Sequence, residues 1–138
     1  MDFVLQRAGA ELSGNDAELR RAAAAARDRW PLAEAELHAA RHSRAAAANE
    51  NPLSARCAFN ALQVARRLGA STPWTLLRVE DPLTQREREV AAAVAAGGSN
   101  REVADGTGVS VRTVENQLQS VYRKLGISGR KDLNELFL

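Results

Sequence analysis

Residues 83–138 read LTQREREVAAAVAAGGSNREVADGTGVSVRTVENQLQSVYRKLGISGRKDLNELFL, a segment in which helix starts and helix stops follow one another closely. Thr84 with Glu87, and Ser99 with Glu102, have the spacing of a capping box, in which each side chain satisfies a backbone N–H of the first helical turn. Ser110 is the N-cap candidate of a third helix. We therefore predict helices at about 85–96, 100–104 and 110–125, with stops at Gly97-Gly98 and a turn at Asp105-Gly106-Thr107-Gly108.

The third of these predicted helices is amphipathic. Val114, Leu118, Val121 and Leu125 recur at spacings of four, three and four residues, which places them on one apolar stripe. A helix, a glycine-containing turn and a second helix form the helix-turn-helix motif, whose second helix enters the major groove of DNA. When the stripe packs on the first two helices, the side chains that face outward are those of Arg112, Glu115, Asn116, Gln119 and Arg123.

The outward side of this helix offers groups that can recognise DNA. Asn and Gln can bond bidentately to adenine and Glu can accept from the cytosine amino group, so we predict that bases are read by Glu115, Asn116 and Gln119. Cations and hydroxyls around this side suit phosphates, which fix the position of a protein without reading sequence. The predicted phosphate contacts are Ser99, Arg101, Arg112, Thr113, Arg123, Lys124, Arg130 and Lys131.

Four groups of residues stand at fixed spacing in this segment, namely Leu83-Thr84-x-Arg86-Glu87-x-Glu89-Val90, Gly98-x-Asn100-x-Glu102-Val103-Ala104, Val109-Ser110-x-x-Thr113-Val114, and Lys124-Leu125-Gly126 with Arg130 and Leu133. They resemble the C-terminal DNA-binding domain of LuxR-type transcription factors. The resemblance implies a four-helix domain whose third helix reads bases at positions 115, 116 and 119, and whose last helix supports pairing of two copies. Two positions depart from the family pattern: Thr107 replaces a usual Leu, and Gln117 replaces a frequent His.

A fourth helix is predicted from about Arg130 to Leu138, with Leu133, Leu136 and Phe137 on one side. A helix of this length is marginal alone, so this side must pack against something. Two interpretations stay open. Either the side closes the core of its own domain, or, as the resemblance implies, these three residues form the contact of a dimer.

Helical patterning lapses before this domain, between Leu76 and Leu83. Pro73, Glu80, Asp81 and Pro82 cluster around the lapse, and Pro disfavours helix at the residue before it. We place the domain boundary near Asp81 and divide the chain into an N-terminal helical region, 1–78, and the helix-turn-helix domain, 79–138.

The N-terminal region is predicted to be a small all-α bundle. Helices at about 16–29, 31–48 and 53–68 follow from Ala-, Glu- and Arg-rich composition, from Pro31 in a first turn and from the stop at Gly69, and residues 3–5 are a candidate start of a further helix. The second and third of these helices are predicted to oppose their apolar faces in an antiparallel hairpin. The faces are Leu32, Ala35, Glu36, Ala39 and Ala40 on one helix, and Leu53, Cys57, Ala58, Ala61, Leu62, Ala65 and Leu68 on the other.

This hairpin resembles one unit of a tetratricopeptide-like repeat, the type that precedes the DNA-binding end in large LuxR-type regulators of high-GC bacteria. On that interpretation the chain is the end of such a regulator or a shortened relative. The alternative is an alanine-rich helical spacer with no ligand of its own.

Three further side chains in this region, those of His38, His42 and Cys57, are of types that can form a site. His38 and His42 stand one helical turn apart with Glu34 on the same face, but Ala39 occupies the position where a metalloprotease motif needs Glu. We therefore expect two exposed surface histidines and no metal site. Cys57 is the only cysteine, which excludes a disulfide framework, and we expect it to be a small buried apolar residue.

Composition limits the function classes. Lys and Arg number 19 and Asp and Glu 17, so the net charge of +2 does not indicate nucleic acid, and only the local distribution of charge does. No apolar run approaches the roughly 20 residues that span a bilayer, and no phosphate-binding loop, nucleophile motif or metal-ligand cluster is present.

We therefore expect a sequence-specific transcriptional regulator that is not an enzyme, needs no cofactor and works in the cytoplasm, associated with the nucleoid when bound. The expected partners are double-stranded DNA, a second copy in a homodimer on DNA, and RNA polymerase, with no membrane. The alternative function is a helical protein-interaction module with a degenerate helix-turn-helix.

Overall fold

A computed structural model describes residues 3–69 and 76–137, with side chains from residue 6 onward. These residues form helices and no strand, which confirms the all-α prediction. The helices are α1 (Phe3–Ser13), α2 (Asp16–Ala26), α3 (Pro31–Ala47), α4 (Asn51–Leu68), α5 (Gln85–Ala95), α6 (Asn100–Thr107), α7 (Val111–Leu125) and α8 (Arg130–Phe137). Within the described ranges, no helix is both long enough and apolar enough to cross a membrane.

The chain divides into two compact units between Asp81 and Pro82. The N-terminal unit contains α1 to α4 and the C-terminal unit contains α5 to α8. Each unit has its own buried residues, so each is described by itself below.

The predicted hairpin in the N-terminal unit is formed by α3 and α4, which pack against each other and are joined by residues 48–50. α3 also packs on α2, so two of its sides are covered. Ala33 and Leu37 join a cluster with residues of α2, and Ala35 and Ala39 join one with residues of α4. The single narrow face predicted for this helix is therefore wrong in part, and Leu32, which was placed on it, is 47% exposed.

The ends and faces of the neighbouring helices also differ from prediction. α2 ends at Ala26 instead of Arg29, because the chain turns before Pro31 and Asp28 adopts a positive φ of 65°. On α4 the predicted stripe is buried only in its middle, at Cys57, Ala58 and Ala61, while Phe59 and Val64 are buried in addition. The stripe prediction included Leu68, which is 38% exposed at the end of the helix, just before Gly69 closes it with a φ of +61°.

Neither histidine of α3 is exposed, contrary to prediction. His38 is only 8% exposed, and its Nε2 lies 3.9 Å from Oε1 of the buried Glu34. His42 is half-buried, with its Nδ1 2.9 Å from the Ser54 hydroxyl oxygen. The expectation of two exposed histidines is wrong because α3 is covered on two sides. No group of three or more His, Cys, Asp and Glu side chains in the described part of the chain is arranged to hold a metal ion.

The C-terminal unit packs its four helices around aliphatic side chains. The buried core consists of Leu83, Val90, Ala91, Val94, Val103, Ala104, Val114, Leu118, Val121, Leu125 and Leu133. On α5, Ala91 is fully buried together with Val90 and Val94, whereas Ala93 is half-buried. Both predicted capping boxes, Thr84 with Glu87 and Ser99 with Glu102, are present.

The turn between α6 and α7 is shorter than predicted. Asp105, Gly106 and Thr107 belong to the last turn of α6, and the helix ends at Gly108, which has a φ of +69°. Thr107 keeps the last turn closed, since its hydroxyl donates to the Val103 carbonyl oxygen over 2.6 Å. The N–H of Gly108 donates to the Ala104 carbonyl, so the connection to α7 is tight.

Candidate nucleic-acid interface

α7 is fixed at both ends by local signals in its sequence. The Ser110 hydroxyl oxygen accepts a hydrogen bond from the Thr113 N–H over 3.1 Å, as expected for its N-cap. At the other end Gly126 adopts a φ of +60° and closes the helix. Between them Val114, Leu118, Val121 and Leu125 are at most 4% exposed, which confirms the predicted apolar stripe.

The opposite side of α7 is exposed. Glu115, Asn116 and Gln119 all lie in solvent, as do Arg112 and Arg123. Side chains three or four residues apart are neighbours on a helix surface, so the carboxylate and the two amides form one continuous polar patch. The structure thus brings the three predicted base-reading residues together, while their role in reading bases stays a prediction.

The predicted phosphate contacts fall into two groups in the structure. Arg101, Arg112, Arg123 and Lys131 are exposed, and none of them forms a salt bridge within residues 3–69 and 76–137. Ser99 is also exposed, where its hydroxyl oxygen caps α6. Thr113 is half-buried, with its hydroxyl 2.8 Å from that of Ser110. The remaining two, Lys124 and Arg130, are engaged inside the unit.

Lys124 is paired with Glu87, a buried carboxylate at the start of α5. Its ammonium nitrogen lies 2.7 Å from Oε2 of Glu87, and the Ser120 hydroxyl donates to Oε1 over 2.7 Å. The Thr84 N–H donates to Oε2 over 2.8 Å. Burial alone raises the pKa of Glu87, but these hydrogen bonds outweigh it and lower the pKa to about 2. Glu87 therefore caps α5 and ties it to the second half of α7.

Arg130 ties the start of α8 to the start of α6. Its guanidinium donates to the Gly98 carbonyl oxygen over 2.9 Å and to Oδ1 of Asn100 over 2.8 Å. The side chain is half-buried. Part of its hydrogen-bonding capacity is thus committed to holding the fold rather than available to a ligand.

The three predicted dimerisation residues are not equivalent. Leu133 has no exposed surface and lies in the core, where α8 packs on α5. Leu136 and Phe137 are half-buried. In this arrangement Leu133 has no surface left for a partner, and the predicted dimer contact can fall only on Leu136 and Phe137.

Gln117, one of the two departures from the family pattern, lies partly inside the unit. The residue is half-buried, and its buried Oε1 has no hydrogen-bond partner among the described residues. It therefore does not share the exposed patch of Asn116 and Gln119.

Sequence reasoning missed the contacts of Glu87 with α7. The capping box predicted only that Glu87 would satisfy the Thr84 N–H. Ser120 and Lys124 stand one turn apart on α7, and that spacing was the only available sign that they share a partner. Their partner lies 33 and 37 residues away, so no local pattern names it.

Comparison with known proteins agrees with the geometry of the C-terminal unit. Residues 81–137 match the family model GerE, described as bacterial regulatory proteins of the luxR family. Over 50 residues the chain is 48% identical to the probable transcriptional regulatory protein SgaR of Hyphomicrobium methylovorum, an alignment that covers 36% of this chain and 24% of SgaR. Over 48 residues it is 42% identical to the transcriptional regulatory protein MctR of Rhizobium johnstonii, covering 35% of this chain and 22% of MctR.

The matched segment is thus less than a quarter of the length of these curated relatives. No solved structure matches the chain. The family match covers α5 to α8, the capping boxes and the exposed patch of α7 together. Residues 81–137 are therefore a helix-turn-helix domain of the LuxR family of bacterial regulatory proteins.

Proposed function

We propose that this protein is a sequence-specific DNA-binding transcriptional regulator that reads the major groove with α7. The observation that carries the proposal is the exposed patch of Glu115, Asn116 and Gln119 directly opposite the buried stripe of the same helix. Amide side chains suit adenine and a carboxylate suits the cytosine amino group. The names of SgaR and MctR, to which the chain is similar over 50 and 48 residues, support a role in transcription rather than catalysis.

The structure favours a smaller set of phosphate contacts than the sequence did. Arg101, Arg112, Arg123 and Lys131 project freely into solvent, and we assign phosphate binding to these four cations first. Ser99 and Thr113 lie at the N-termini of α6 and α7, where backbone N–H groups also favour an anion. Arg130 takes a secondary place because its guanidinium already serves the fold.

The assembly on DNA is also part of the proposal. We propose that two copies bind a two-fold site with half-sites about one helical turn apart and meet through Leu136 and Phe137. The protein would act in the cytoplasm, where bacterial DNA lies, and would contact RNA polymerase when it acts on a promoter. The geometry of the DNA-binding unit does not depend on these further steps.

The direct test compares base-reading and phosphate-binding variants of the full chain. Duplexes that bind are first selected from a random pool, and affinity is then measured for the selected duplex and for a scrambled one. Asn116→Ala or Gln119→Ala should weaken binding to the selected duplex by about 1–3 kcal/mol with little loss on the scrambled one. Arg123→Ala should weaken both alike.

The two results are distinguishable because the variants lie on the same helix and are all exposed. Equal loss of specificity in Asn116→Ala and Arg123→Ala would contradict the assignment of roles. If the folded protein binds no duplex at any salt concentration, the interaction-module alternative replaces the regulator.

A further inference from the structure

Glu87 and Lys124 form an ion pair between the start of α5 and the last turn of α7. The ammonium of Lys124 is 2.7 Å from the carboxylate, and the side chains of Lys124 and Glu87 are 34% and 9% exposed. The next residue in the chain, Arg123, is exposed and forms no salt bridge within the described ranges. Of two adjacent cations on the last turn of α7, Lys124 is thus paired with a carboxylate and Arg123 is not.

Separating the Glu87–Lys124 ion pair is energetically costly. If Lys124 moved toward a phosphate, Glu87 would keep a charge in a largely buried position, and the Ser120 hydroxyl and the Thr84 N–H would be its remaining partners among the described residues. Removing one member of a buried ion pair is costly because it leaves the other charge uncompensated. At a distance, moreover, a carboxylate and an ammonium in contact have no net charge to attract a phosphate.

We propose that Glu87 is a positioning residue that acts through Lys124 and limits the sequence-independent affinity of the protein for DNA. By holding the ammonium against its own carboxylate, Glu87 removes one cation from the set that displaces counterions. Sequence-independent binding is electrostatic, and sites of any sequence compete with the correct one. With fewer phosphate contacts, a larger share of the affinity for the correct DNA site comes from the exposed patch of Glu115, Asn116 and Gln119. This inference rests on the proposed function, since it assumes that α7 faces DNA.

The test measures how binding of the full chain to a random-sequence duplex depends on salt. Each phosphate contact contributes about 0.9 to the slope of log affinity against log salt, or about 3.5-fold in the affinity ratio between about 50 and 200 mM. Lys124→Met should leave the slope unchanged. Arg123→Met, the matched control one residue away, should flatten it by about 0.9.

Glu87→Gln supplies the opposite perturbation. It should free Lys124, steepen the slope by about 0.9 and raise affinity for the random duplex several-fold. The double variant Glu87→Gln/Lys124→Met should return to the wild-type slope, because the gain comes from the ammonium and not from the loss of a negative charge alone. Circular dichroism at the assay temperature establishes that each variant is folded.

Three outcomes would overturn the inference: equal flattening by Lys124→Met and Arg123→Met, an unchanged slope in Glu87→Gln, or a gain that persists in the double variant. If Glu87→Gln does not fold, the comparison of Lys124→Met with Arg123→Met decides the matter alone. A different result would refute the proposed function, namely that the wild-type protein shows no salt-dependent binding to any duplex.

Discussion

The carboxylate of Glu87 should make the stability of the C-terminal unit depend on pH. Its pKa is lowered from 4.5 to about 2 in the folded protein. The ionised form is therefore favoured by folding, and its contribution is complete above the unfolded pKa and is lost as pH falls through the folded one. A difference of this size corresponds to about 3 kcal/mol at about pH 7, of which about 2 kcal/mol should be lost by about pH 3.

The perturbation that isolates this contribution is Glu87→Gln, which keeps the side-chain shape and removes the charge. Urea unfolding of the full chain by far-UV circular dichroism should show the variant about 3 kcal/mol less stable at about pH 7, with a gap near 1 kcal/mol at about pH 3. The C-terminal unit begins at Pro82 and contains no tryptophan, so the change in tryptophan fluorescence does not report the unfolding of this unit and serves as an internal reference.

A matched control is Glu115→Gln, which removes an exposed carboxylate from α7. Because exposed substitutions usually stay within about 0.5 kcal/mol, this variant should match the wild type at both pH values. A Glu87→Gln gap that stays constant from about pH 7 to about pH 3 would refute the ionic origin of the effect. The loss would then come from packing or from capping of α5.

Four further substitutions test the packing of the same unit by urea unfolding. Gly98→Ala should destabilise the unit by about 1–3 kcal/mol, because the added Cβ would lie 2.9 Å from the Ala93 carbonyl oxygen. Gly106→Ala, in open space on α6, should instead stabilise the unit by about 0.4–1 kcal/mol. If Gly106→Ala were the more destabilising of the two, the close contact between residue 98 and Ala93 would be contradicted. Leu133→Ala should cost about 2–5 kcal/mol if α8 closes the core, and a loss under about 1 kcal/mol would argue against that. Ser110→Ala should cost about 0.5–2 kcal/mol through loss of the N-cap, and an unchanged midpoint would show that the cap is dispensable.

The C-terminal unit was predictable because its local signals agree with its packing. Thr84, Ser99 and Ser110 each cap a helix where the sequence places them, and one stripe of α7 supplies much of the core. The error at the α6 end has a local cause. Gly106 suggests a break, yet a glycine inside a helix costs only about 1 kcal/mol, and the Thr107 hydroxyl closes the last turn.

The N-terminal unit was less predictable because alanine does not distinguish a buried face from an exposed one. α3 carries alanine on nearly every side, so the pattern does not show that two helices pack against it. The burial of Glu34 and His38 follows from that packing and not from any local preference. Likewise Glu87 and Lys124 meet across 37 residues, a contact that only the assembled fold reveals.

The groups that position α7 are separate from the exposed patch on its surface. Its position is set by the Ser110 cap, by the Val109 N–H bonded to the Ala104 carbonyl over 3.2 Å, and by Glu87 near its end. The side chains of the exposed patch, Glu115, Asn116 and Gln119, make no hydrogen bond within the part of the chain that the structure describes. Substitutions in the patch therefore leave the placement of the helix intact, because none of the groups that hold it is touched. If α7 reads bases as proposed, substitutions in the patch would change the DNA sequence that the domain prefers without changing its fold.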